Sequence, residues 1–61
     1  MIKEIKEDLI SEAELLIYQI KAAQINGDFE SVNNKAEVLN SICKKLDFIK
    51  HEEERLLNES Y

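Results

Sequence analysis

The chain has no proline and no tryptophan, and among its 61 residues it has one glycine, one cysteine and one histidine. Each shortage excludes something. Without proline, nothing stops a helix except the single glycine, Gly27. With Cys43 alone, no intramolecular disulfide can form, and a lone thiol fits a reducing compartment better than a secreted one. With His51 alone, a zinc site of several histidines is ruled out. His51-Glu52-Glu53-Glu54-Arg55 lacks the second histidine of the zinc-protease helix, and no Glu-x-x-His pair is present for a di-iron bundle. One glycine cannot build a glycine-rich phosphate loop. No apolar run approaches the roughly 18 residues of a membrane span; Leu15-Leu16-Ile17-Tyr18 is broken by Gln19. Met1-Ile2-Lys3-Glu4 shows neither an apolar signal core nor a small-residue cleavage site, so a cytoplasmic location without signal peptide or membrane contact is expected.

The charge is one-sided. Thirteen Asp and Glu face eight Lys and Arg, a formal −5. That balance speaks against phosphate neutralisation, and so against nonspecific nucleic-acid binding or an anionic membrane surface. It permits a basic partner or the role of an acidic decoy for a nucleic-acid-binding protein. Most of the acidity reads simply as a solvated outer face.

What remains is helix-forming sequence on either side of Asn26-Gly27-Asp28. Glycine readily takes the left-handed conformation that ends a helix, and Asp is a preferred first cap. The expected fold is all-α: one antiparallel hairpin over 1–61, with helix 1 at about 2–26, a turn at 26–28 and helix 2 at about 29–58. Leu9, Ala13, Leu16, Ile20 and Ala23 alternate steps of four and three, a heptad seam that Ile5 extends. Val32, Ala36, Leu39, Cys43 and Leu46 carry the matching seam on helix 2, which makes Cys43 a buried small hydrophobe. Ser11-Glu12-Ala13-Glu14 matches a capping box. With no Gly or Pro near it, one continuous first helix is preferred. Phe29 is placed as a lid over the turn.

The apolar residues outnumber what two helices can hide from each other. Leu15, Tyr18, Ala22 and Ile25 on helix 1, with Val38, Ile42 and Ile49 on helix 2, are the candidate interface residues. Their expected role is burial against a second copy, as a homodimeric four-helix bundle, or against a larger protein. Tyr18 and Tyr61 add hydroxyls that can anchor a contact. No catalytic residue, cofactor or metal site is expected. His51 with Asp47 and Glu54 on one side reads as a solvated histidine with local charge partners.

Two likenesses accompany this reading. Cys43-Lys44-Lys45-Leu46-Asp47 resembles, at Leu46 and Asp47, the Ser-Gln-x-Leu-Asp signature of the small two-helix aspartyl-phosphate phosphatases that act on a sporulation response regulator. Cys stands for its Ser and Lys for its Gln. The resemblance implies Asp47 as the functional residue of an alternative, phosphatase-like regulator. In architecture alone the chain is also similar to plasmid-encoded RNA-binding hairpin dimers, with no shared motif. The main expectation is a small non-enzymatic regulatory protein that presents a helical face.

Overall fold

A computed structural model describes residues 2–59; Tyr61 lies outside them. Two helices, α1 (Ile2–Ile25) and α2 (Phe29–Glu59), pack against each other as an antiparallel hairpin. The shape is a rod of 52 × 16 × 13 Å. Its radius of gyration is 14.9 Å, where a compact domain of this length would have about 10–11 Å.

The turn is built by three residues. Gly27 is left-handed, with φ at 72°. The Asp28 N–H donates to Ala23 O at 2.9 Å, and the Gly27 N–H donates to Gln24 O at 3.1 Å. This nested pair is the Schellman closure, which satisfies carbonyls that α1 would otherwise leave open. Asp28 then caps α2: its carboxylate accepts from the Ser31 N–H at 3.3 Å and from the Ser31 hydroxyl at 2.7 Å. Its own carbonyl takes the first helical bond, from the Val32 N–H at 3.2 Å. One helix ends and the next begins with no spare residue between them.

α1 runs unbroken through Ser11, so the capping-box pattern there does not start a helix. A break at Ser11 would detach Leu9, which is half-buried in the same row as Ala13 and Leu16.

The seam on α1 is Lys6, Leu9, Ala13, Leu16, Ile20 and Ala23, all at least half-buried. On α2 it is Val32, Lys35, Leu39, Ile42, Leu46 and Ile49. This corrects the expectation for α2, because Ala36 and Cys43 stand exposed and Lys35 and Ile42 take their places. Both rows share Val32, Leu39 and Leu46. The row through Ala36 and Cys43 continues to Lys50, whereas the row through Lys35 and Ile42 continues to Ile49. Two isoleucines bury far more apolar surface than an alanine and a cysteine. Lys35 joins the seam without burying its charge: its stem crosses the apolar row and its ammonium donates to Gln19 Oε1 at 3.1 Å. Lys6 takes the position expected of Ile5, which stands exposed, and Lys6 Nζ meets Glu53 Oε1 at 3.1 Å. Phe29 is largely exposed and does not cover the turn.

Candidate interaction surface

The hairpin has very little interior. Among the described residues, only Ala23, at 8%, and Ile42, at 5%, fall to the exposure of core residues, and no side chain is fully enclosed. Eleven large apolar side chains are exposed among the described residues. The accessible surface is 5118 Å². A folded monomer of 7.1 kDa exposes about 4100 Å². The excess, about 1000 Å², is comparable to what one partner buries in a standard interface.

The candidate residues divide into three groups. Leu15, Tyr18, Ala22 and Ile25 are all exposed, with Tyr18 at 71% and Ile25 at 85%. They follow steps of three and four along α1, so they share one stripe, and it points away from the seam. Val38 is exposed on α2. Ile42 belongs to the hairpin's own interior, and Ile49 is half-buried at the edge of a groove. The last two therefore hold α1 and α2 together as well as bordering the surface.

Two shallow grooves are lined, apart from Ile49, by residues outside that set. A groove of about 420 Å³ runs between the helices near their open end, lined by Ile5, Leu9, Lys44, Lys45, Phe48 and Ile49. A smaller one, about 200 Å³, follows along α2, lined by Phe48, Ile49, Glu52, Glu53 and Leu56. Phe48 and Ile49 border both. The signal for this site was present in the sequence, since Phe48, Glu52 and Leu56 sit one helical turn apart.

The polar clusters are simple. His51 Nε2 lies 3.4 Å from Asp47 Oδ2, and both side chains are about two-thirds exposed. Arg55 pairs with Glu52 at 2.8 Å. Among the described residues no three His, Cys, Asp or Glu side chains converge as a metal-ligand set. Cys43 is a free, exposed thiol. No described helix is long and apolar enough to cross a membrane. The titration of Asp28 is displaced. The Ser31 hydroxyl, then the Ser31 N–H, hold its carboxyl below the usual range; slight desolvation opposes them and the charge of Lys35 assists.

Comparison with known proteins gives no match: no family model, curated sequence or solved structure is detectably similar to this chain.

Proposed function

We propose that the protein is a small, non-enzymatic regulatory protein of the cytoplasm that works by presenting an apolar helical face to another protein chain. One observation carries this reading: among the described residues eleven large apolar side chains are exposed, while only Ala23 and Ile42 are buried. A monomer pays a solvation cost for that distribution, and covering the face removes it. The covering chain is a second copy, giving a four-helix bundle, or a larger protein with a complementary groove. Leu15, Tyr18, Ala22 and Ile25 with Val38 and Ile49 supply the contact surface, and Ile42 keeps the two helices in register beneath it.

Sedimentation equilibrium combined with circular dichroism tests the self-associating form. Two-chain mass and rising helicity with concentration are expected. A fully helical chain at single-chain mass up to hundreds of micromolar would remove it.

A second reading draws on the placement of Leu46 and Asp47. Leu46 packs in the seam and Asp47 stands in solvent beside His51. A phosphatase-like regulator would need this arrangement to offer Asp47 to a phosphorylated receiver domain. Phosphate release from such a domain, lost in Asp47→Ala, is the supporting result.

A further inference from the structure

The two grooves near the open end differ in one respect. The first is edged by Lys44 and Lys45, the second by Glu52 and Glu53, and Phe48 and Ile49 stand between them. Counted along α2, the lysine pair and the glutamate pair are equally far from the midpoint of Phe48 and Ile49, about 6 Å on either side. The charge pattern therefore inverts when the helix is turned end for end. Such a surface complements itself only in an antiparallel sense. A parallel pairing would set lysine on lysine and glutamate on glutamate.

We propose that the occupant of these grooves is a second copy of the chain, docked α2 against α2 antiparallel with the two-fold axis passing between Phe48 and Ile49. This rests on the reading above that an apolar face is covered by another chain, and it assigns the dimer contact to the α2 groove face, leaving the stripe of Leu15, Tyr18, Ala22 and Ile25 outside that contact. Phe48 of each copy enters the apolar floor of the other, beside Ile5 and Leu9. Lys44 and Lys45 of one copy meet Glu52 and Glu53 of the other at both ends of the contact. Within the hairpin, Lys44 and Lys45 have no carboxylate in ion-pair range among the described residues, so both ammonium groups are free for this role. Glu52 already pairs with Arg55 and Glu53 with Lys6, but both pairs are substantially exposed, so each carboxylate keeps an oxygen face open to a second cation. Asp8 and Glu12, exposed on the side of α1 that carries Ile5, keep the contact centred on α2, because pairing α1 with α1 would bring these acids together. The hairpin as a whole carries about 1000 Å² of excess surface, of which this face is one part, against about 800 Å² per chain in a standard two-fold interface.

Charge-swap sedimentation equilibrium on the full chain tests the register. Lys44→Glu with Lys45→Glu makes the strip wholly acidic, and Glu52→Lys with Glu53→Lys makes it wholly basic. Each double variant alone is expected to lose self-association at least about tenfold, from like-charge contact. Mixed, the two are expected to form a one-to-one heterodimer, and the chain carrying all four changes is expected to dimerise again. Circular dichroism on each variant separates lost association from lost helix, and Phe48→Ser provides an uncharged disruption of the same contact. If the wild type dimerises but neither the double variants nor Phe48→Ser change its affinity, while Tyr18→Glu does, this register is wrong and the interaction reading stands on the other face. If the wild type keeps single-chain mass at every concentration, a second copy is not the occupant; the interaction reading then depends on a heterologous partner whose capture Tyr18→Glu abolishes.

Discussion

Lys6 on α1 and Glu53 on α2 lie 47 positions apart in the chain and 3.1 Å apart in space. They close the open end of the hairpin as Gly27 and Asp28 close the other. Both side chains are more than 40% exposed, so the pair is worth less than about 1 kcal/mol. Lys6→Ala should therefore shift the thermal midpoint slightly, and the shift should shrink in high salt. A large, salt-independent loss would mean that the stem of Lys6 matters more than its charge.

Gly27 offers a cleaner measurement. Nothing lies within 4 Å of where a Cβ would stand, and φ is +72°. Gly27→Ala thus carries only the conformational cost, about 1 kcal/mol, or about 4–8 °C in a domain this small. The comparison must hold chain concentration fixed, since association shifts apparent stability. An unchanged midpoint would show that the left-handed turn is not where α1 ends.

Asp28 makes stability depend on pH. Its carboxyl is held below the ordinary range by Ser31, so the folded state binds the proton less readily than the unfolded one. The contribution is complete above the ordinary carboxylate range and is lost as pH falls through the lowered value. Asp28→Asn keeps a capping oxygen but removes the titration. Denaturant melts of the two proteins from pH 7 to pH 2 should converge at the acid end; a constant gap would leave Asp28 without this role.

Ile42 and Cys43 are consecutive residues with opposite surroundings. Ile42 is buried and Cys43 is a free, exposed thiol. Ile42→Ala should cost about 2 kcal/mol or more, while Cys43→Ser should stay within about 0.5 kcal/mol. The thiol of the native chain should react with a disulfide reagent nearly as fast as in denaturant. Protection of Cys43 in the native state would restore the seam that runs through it.

Sequence alone determined the hairpin. A single glycine followed by Asp, between two stretches free of proline, leaves the backbone one place to reverse, and the α1 row from Leu9 to Ala23 was legible because it is longer than the other stripe with heptad spacing, Leu15, Tyr18, Ala22 and Ile25. The α2 row was not, since Ala36–Cys43 and Lys35–Ile42 satisfy the same spacing. Tertiary packing chose between them: the isoleucine row buries more apolar surface, and Lys35 reaches Gln19 without burying its charge. For the same reason Tyr18 was readable as an outward residue, whereas the pairing of Ile5 and Leu9 with Phe48 and Ile49 in one groove was not. Helical spacing reports which residues share a side of one helix; only the packing of two helices decides which sides meet and what is left uncovered.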